Sequence, residues 1–224
     1  MIADALARGA EEILLGIGGS ATNDGGLGML TALGARFFDA DGHPVTEGGA
    51  GLGQVARVDL TGLMPALRNV RLTVMCDVSN PLLGPKGATA VYGPQKGVTR
   101  QMLPILEAGM ANYAQALETN LGREIHTAAG SGAAGGLGAA LGGVLGAKLK
   151  RGIDAVLDAV DFDRLLQNAD LVVTGEGCMD HQSIDFGKVI AGVAERAACR
   201  SVPVCAIVAV SYTHLRAHET LRHL

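Results

Sequence analysis

The stretch LLGIGGSATNDGG, Leu14–Gly26, carries an apolar run of strand length into a turn rich in glycine. Within it, Gly16-x-Gly18-x-x-Ala21 matches the dinucleotide-binding fingerprint in outline, and glycine lets the backbone approach an anion closely. The next residues, Thr22-Asn23-Asp24, favour another ligand, because a carboxylate repels a pyrophosphate unless a cation lies between them. The stretch alone therefore leaves open a dinucleotide loop, a loop for magnesium-bridged phosphate, and a tight turn without a ligand.

The composition indicates a globular chain that binds small molecules. Its 224 residues, 48% of them hydrophobic, are enough for one domain or one and a half. The net charge of −4, with no long run of one sign, argues against a nucleic-acid partner. No apolar run reaches the roughly 18 residues that span a bilayer, so we expect no membrane association and a cytoplasmic location. The four widely spaced cysteines predict neither a zinc site nor a disulfide framework.

Strand and helix patterns alternate along the chain. Helical spacing predicts helices over 3–8, 99–121, 154–166 and 188–198, and a glycine-rich turn over 130–143 that leads into an Ala/Leu helix. Apolar runs predict strands over 12–15, 35–39, 70–76, 169–174 and 202–210. The order helix, strand, glycine turn, helix, strand is typical of a parallel α/β sheet.

Four loops of this pattern share one character. They cover residues 18–24, 77–80, 130–138 and 175–183, and each mixes glycine or small residues with a polar group. The first, second and fourth follow predicted strands, where α/β proteins gather their sites. No stretch supplies the GxxxxGK[ST] of a P-loop, since Gly187-Lys188 is followed by valine. Together the loops predict an enzyme that handles phosphate or an acid.

In this order the loops resemble those of the bacterial glycerate kinase family. The resemblance rests on GIGGSATNDGGLGML (16–30), CDVSNPLLGPKGATAVYGPQKG (76–97), GSGAAGGLGAAL (130–141) and ADLVVTGEGCMDHQS with the following Gly187-Lys188. It covers almost everything up to about Ala209. It implies a two-domain α/β fold of the glycerate kinase type, in which a Rossmann-like or flavodoxin-like domain is interrupted by a second α/β domain.

The resemblance implies that residues 1–166 are the inserted α/β domain, beginning in mid-fold, and that residues 167–210 are a returning segment of the Rossmann-like domain. Residues 211–224 contain three of the six histidines and are expected to be a non-native tail. By this interpretation the chain is a truncated family member, and its own activity is an open question.

The implied reaction is transfer of the γ-phosphoryl group of ATP to a hydroxyl of D-glycerate, with Mg²⁺, to give 2-phosphoglycerate. The implied partners are D-glycerate and ATP, and the family pattern is compatible with a homodimer. Asp77 and Asp180 are the expected catalytic residues, acting on the metal or the substrate hydroxyl. The residues expected to hold substrate or phosphate are Gly18, Gly19, Ser20, Asn23, Asp24, Asn80, Gly132, Gly135, Gly136, Glu176, Gln182 and Lys188.

Structural alternatives accompany these assignments. Asp77 could stabilise its own turn, and Asp24 could cap a helix that begins near it. The chain also departs from the family pattern at Cys178, where a basic residue is common. The alternative function is an NAD-dependent oxidoreductase, read from the GxGxxA loop and from Asp39, which lies at about the spacing of a ribose-binding acid. A non-catalytic remnant is the third hypothesis.

Overall fold

The computed structural model describes residues 1–46, 48–179 and 189–211, and these fall into two compact units that divide between Leu149 and Lys150. The domain boundary at 166/167, which the family resemblance implies, stays a prediction. The tail after residue 211 lies outside the described residues. No helix in the described ranges is both long and apolar enough to cross a membrane.

The first unit is a mixed α/β structure. Its strands are β1 (Glu12–Gly16), β2 (Arg36–Phe38), β3 (Arg57–Asp59), β4 (Arg71–Met75) and β5 (Lys148–Lys150), whose last residue lies at the unit boundary. Its helices are α1 (Ile2–Ala7), α2 (Leu27–Ala32), α3 (Ala88–Tyr92), α4 (Met102–Leu121) and α5 (Ala133–Gly138). α5 is interrupted at its start, because Ala134, Gly135 and Gly136 have left-handed backbone conformations. Short helical turns cover Leu52–Gln54, Pro65–Arg68 and Pro94–Lys96, and a wide helical turn covers Ala139–Val144.

The main sheet has the strand order β1-β4-β5, and β1 runs parallel to β4, with Ile13 opposite Leu72 and Leu15 opposite Val74. This confirms the parallel α/β prediction for both strands. Both end at the same edge, so the loops that follow Gly16 and Met75 leave the sheet side by side. The sheet therefore places the loop 17–26 beside the loop that contains Asp77.

The predicted strand at 35–39 is present as β2, but it does not join the main sheet. It pairs antiparallel with β3, which the sequence pattern did not reveal, in a separate two-stranded sheet. Phe37 points to the core from this pair and packs against Tyr113 of α4, with 5.7 Å between the ring centroids. The short strand alternates exposed and buried residues, as expected of a sheet with one solvated face.

Helix α4 lies at the centre of the larger core. Its residues Met110, Tyr113 and Leu117 are fully buried among side chains from α2, β2 and the turn after Gly51. The helix ends at Gly122, whose φ of 66° is the left-handed conformation that glycine adopts at low cost. Thr99 contributes at the other end, since its Oγ1 accepts a hydrogen bond from the Met102 N–H at 3.3 Å.

The second unit contains α6 (Gly152–Ala159), α7 (Phe162–Leu165), β6 (Val172–Met179), α8 (Val189–Ala198) and β7 (Val204–Ser211). Strands β6 and β7 are parallel, with Val173 opposite Cys205, as predicted. The predicted single helix over 154–166 is wrong. It breaks at Asp161, whose φ of 52° is left-handed and cannot continue a right-handed helix.

The predicted loop over 175–183 is wrong at its start, because β6 continues to Met179 and pairs Gly175 with Ile207. One face of the pair is open: Val173 is 60% exposed and Ile207 is 65% exposed. Arg196 connects α8 with α6 and α7, because its guanidinium lies 2.9 Å from Asp158 of α6 and 2.8 Å from Asp163 of α7.

Candidate active site

The loop between β1 and α2 is shaped by Asp24. Its Oδ1 accepts a hydrogen bond from the Gly26 N–H at 3.0 Å, and its Oδ2 accepts one from the Gly28 N–H at 3.1 Å. These are N–H groups at the start of α2, which have no partner within the helix. Asp24 therefore stabilises the beginning of the helix, which is the structural alternative for this residue. Its predicted contact with a ligand stays a prediction.

The same loop does not have the shape of a dinucleotide-binding turn. In that fingerprint the helix opens within the glycine motif, so that its N–H groups face the pyrophosphate. Here α2 begins at Leu27, well after Ala21. Asp39 follows β2, which lies in a different sheet from β1, and its Oδ1 accepts hydrogen bonds from the Asp41 and His43 N–H groups of its own turn. Both supports for the oxidoreductase alternative are thus missing.

The glycine turn at 132–136 packs directly onto the loop 17–26. The Gly25 N–H donates a hydrogen bond to the Gly135 carbonyl at 2.9 Å. Gly135 and Gly136 have φ values of 71° and 94°, and a Cβ on Gly136 would lie 2.7 Å from the Gly25 Cα. Only glycine allows two backbones to approach this closely in such a conformation. The prediction that this turn leads into an Ala/Leu helix is confirmed, since helical residues follow Gly136.

The loop after β4 is organised by Asn80. Its Nδ2 donates to the Lys86 carbonyl at 2.8 Å, its Oδ1 accepts from the Tyr92 hydroxyl at 2.7 Å, and its main-chain carbonyl accepts from the Gly132 N–H at 2.9 Å. Asn80 thus connects this loop with α3 and with the glycine turn. Asp77 is exposed at the carboxyl end of β4, where a carboxylate can reach a ligand.

Two side-chain contacts join the loop 17–26 to residues 88–97, the segment that contains α3 and the helical turn Pro94–Lys96. The Asn23 Nδ2 donates to the Thr89 Oγ1 at 3.1 Å, and Thr89 is fully buried. The Lys96 Nζ donates to the Ser20 Oγ at 2.9 Å and to the Thr22 carbonyl at 2.6 Å. Neither Thr89 nor Lys96 was among the predicted site residues, although both lie in the quoted block 76–97.

The electrostatics of this cluster reflect partial burial. Burial lowers the pKa of Lys96, while the nearby charge of Asp24 acts in the opposite direction. Burial also raises the pKa of the Cys76 thiol, which lies beside Asp77 and donates to the Val78 carbonyl at 3.2 Å. Burial therefore acts against the charged form of both side chains.

Backbone rather than side chains lines the open part of the loop. Gly18 and Gly19 are exposed, and a Cβ on either would meet nothing within 4 Å. Gly19 has a φ of 69°, so the chain turns here in a conformation that favours glycine. A bare, turning backbone of this kind can offer N–H groups to an anionic oxygen.

The first unit thus brings together ten of the predicted site residues or their loops: Gly18, Gly19, Ser20, Asn23, Asp24, Asp77, Asn80, Gly132, Gly135 and Gly136. Glu176 belongs to the second unit, on β6, where its Oε2 is buried and has no hydrogen-bond partner among the described residues. Asp180, Gln182 and Lys188 lie outside the described residues, and their assignments stay predictions.

The chain is similar to proteins of one family along almost its whole length. The model of the glycerate kinase family matches residues 1–221. The chain belongs to the glycerate kinase family. Among curated relatives, it is 53% identical to a glycerate kinase of Bacillus subtilis (strain 168), over 92% of this chain and 54% of the relative. It is 45% identical to the glycerate 2-kinase of Escherichia coli (strain K12), again over 92% of this chain and 54% of the relative.

A solved structure supports the same fold. The chain matches a crystal structure assigned to glycerate kinase 2 of Salmonella typhimurium LT2 with a TM-score of 0.88 and 48% identity, over 95% of this chain and 56% of that one. The α/β fold of the glycerate kinase type, which the resemblance predicted, is therefore confirmed. The chain spans about half the length of the relatives that it matches.

Proposed function

We propose that this chain carries part of the site with which a glycerate kinase binds D-glycerate and ATP, and that at family length the protein phosphorylates a hydroxyl of D-glycerate. The observation that carries the proposal is the meeting of three loops, 17–26, 76–87 and 130–136, at one edge of the parallel sheet. The Gly18-Gly19 backbone and Asp77 are exposed in these loops, and the ammonium of Lys96 lies against Ser20 and Thr22.

These groups suit phosphoryl transfer, which depends mainly on positioning and on neutralising charge. The hydroxyl oxygen attacks the γ-phosphorus, the bond to the β–γ bridging oxygen breaks, and ADP leaves. The hydroxyl proton needs an acceptor, and a carboxylate such as Asp77 can take it. Main-chain N–H groups at Gly18 and Gly19 can hold anionic oxygens while this occurs.

The proposed metal is Mg²⁺, which prefers carboxylate oxygens and phosphate. In the first unit Asp77 fits this requirement, since its carboxylate is exposed at the end of β4. Asp24 fits it less well, because both of its oxygens accept hydrogen bonds from backbone N–H groups. When bound, the metal would neutralise charge on the phosphates. Asp180 stays the second proposed ligand. The expected homodimer and cytoplasmic location also stay predictions.

The test uses the chain joined to the flanking segments of the Bacillus subtilis relative, which we call the extended enzyme. We expect ADP release that requires both D-glycerate and Mg²⁺, and ³¹P NMR should identify the product as 2-phosphoglycerate. Asp77→Asn should lower kcat by about a hundredfold or more. Asp41→Asn, an exposed change in the turn after β2, is the matched control and should retain activity. An extended enzyme that releases no ADP would overturn the proposal.

A further inference from the structure

Lys96 ends the short helical turn Pro94–Lys96, and Gly97, with a φ of 92°, turns the chain away immediately afterwards. Its half-buried side chain reaches 76 positions back along the sequence to Ser20. Both acceptors of its ammonium, the Ser20 Oγ and the Thr22 carbonyl, are neutral and belong to the loop 17–26. The lysine therefore holds this loop from the side of α3.

Its charge is not neutralised by these contacts. Among the described residues no carboxylate oxygen lies within 4.0 Å of the Lys96 Nζ. Asp24 acts on the ammonium through its field, but both Asp24 oxygens already accept N–H groups of the helix start. A partly buried ammonium without an ion pair is costly, and a bound anion would reduce that cost.

The ammonium also has donor capacity to spare. It carries three N–H groups, and its contacts with described residues use two of them. Immediately before Ser20, the exposed backbone of Gly18 and Gly19 has open space around it. An anionic oxygen bound beside Ser20 could accept from this backbone and from Lys96 together.

We propose that Lys96 is an anion-binding residue of the site: it fixes the Ser20–Thr22 segment and donates its remaining N–H to an anionic oxygen of a substrate, either the carboxylate of glycerate or a phosphate of ATP. This rests on the proposed function. A purely structural tie between the loop and α3 is the alternative. The two roles differ in what they require of Lys96, because a structural role needs its hydrogen bonds but not its positive charge.

The test compares Lys96→Met, Lys96→Arg and the control Lys148→Met in the extended enzyme. Lys148 is exposed on β5, so its replacement removes one positive charge elsewhere. We expect Lys96→Met to raise the KM for one substrate by about tenfold or more, since hydrogen bonds to charged groups are strong. Lys96→Arg should recover most of that loss, and Lys148→Met should behave as wild type.

The affected substrate identifies the oxygen. A selective rise in the KM for D-glycerate assigns Lys96 to the carboxylate, and a selective rise in the KM for ATP assigns it to a phosphate. Thr89→Val, which removes the other tie to the loop but no charge, serves as the structural comparison. If Lys96→Met leaves both KM values within about threefold of wild type, or changes them only as Thr89→Val does, the proposal is overturned. An inactive wild-type enzyme would instead overturn the proposed function, and this inference with it, before any variant is compared.

Discussion

Gly135 lies so close to Asn23 that a Cβ added to it would be 2.8 Å from the Asn23 Cα. The residue also has a φ of 71°, so alanine here would suffer both backbone strain and a collision. We expect Gly135→Ala to lower the free energy of unfolding by about 3 kcal/mol or more, because the colliding atoms are backbone and cannot rotate away. Urea unfolding would measure the change.

Gly146→Ala separates the two causes. Gly146 has nearly the same φ, 70°, but nothing lies within 4 Å of its Cβ position. The strain alone should cost about 1 kcal/mol. Equal losses of stability for the two variants would show that the close approach of the loops contributes nothing.

The hydrogen bond from Asn23 to the buried Thr89 provides the second prediction. Thr89→Val keeps the shape of the side chain but removes the acceptor of the Asn23 amide, whose Oδ1 is already buried without a partner among the described residues. A donor left unsatisfied costs about 1–3 kcal/mol. Thr119→Val is the matched control, since Thr119 is exposed on α4 and bonds only its own helix. Unfolding midpoints that fall equally in both variants would refute the argument.

The third prediction concerns pH and Lys96. Burial lowers the pKa of Lys96 in the folded chain below the 10.5 of an unfolded lysine. Between the folded pKa and pH 10.5, the unfolded chain therefore binds more protons than the folded chain. The free energy of unfolding of the wild type should therefore rise, relative to Lys96→Met, as pH increases through this window. Below the window the burial cost is present in full. Urea unfolding at several pH values between 7 and about 10.5 would show the difference, and a constant difference would contradict it.

The fourth prediction concerns Glu118, whose Oε1 accepts from the Ile125 N–H at 2.7 Å and the His126 N–H at 2.9 Å, and lies 2.8 Å from the His126 Nδ1. Burial would raise the pKa of Glu118, but these hydrogen bonds outweigh it and lower the pKa below 4.5. The stabilisation is thus complete above pH 4.5 and is lost as pH falls through the folded pKa. Glu118→Gln should cost about 1–2 kcal/mol at neutral pH.

The control for this variant is Glu11→Gln, an exposed change before β1. The gap in unfolding free energy between wild type and Glu118→Gln should narrow as pH falls below 4.5, whereas the Glu11→Gln gap should stay small throughout. A gap that persists unchanged at low pH would exclude the carboxylate charge as its cause.

The sequence predicted the strands with strong apolar runs and missed those without them. The run Glu12–Gly16 and the alternating Arg71–Met75 pattern were readily predicted because a sheet needs apolar residues at fixed spacing. Strand β3, Arg57–Asp59, has three residues with charged ends, which local pattern cannot distinguish from a loop. Amphipathic spacing predicted one helix through position 161, but Asp161 has a left-handed backbone conformation, which ends the helix. Aspartate tolerates this conformation, and the local sequence pattern does not indicate where it occurs.

The site was predicted in part for a related reason. Loops that follow strands can be located from the strands, and so the loops holding Asp77 and Ser20 were predicted correctly as loops. Lys96 was not, because its significance depends on a contact with Ser20, 76 positions away, that only the folded chain creates. The need for glycine at position 135 likewise arises from a neighbouring backbone and not from its own turn.

The packing of Gly25 against Gly135 has a consequence for motion. The two loops meet backbone to backbone and share a hydrogen bond, and Gly25 lies against the Tyr113 ring of α4 in the core. The innermost part of the loop 17–26 cannot open without separating from that core, so its amide hydrogens should exchange with solvent as slowly as those of α4. Gly18 and Gly19 differ from that part, because both are exposed and a Cβ at either position would meet nothing, so the backbone there has room to follow a ligand.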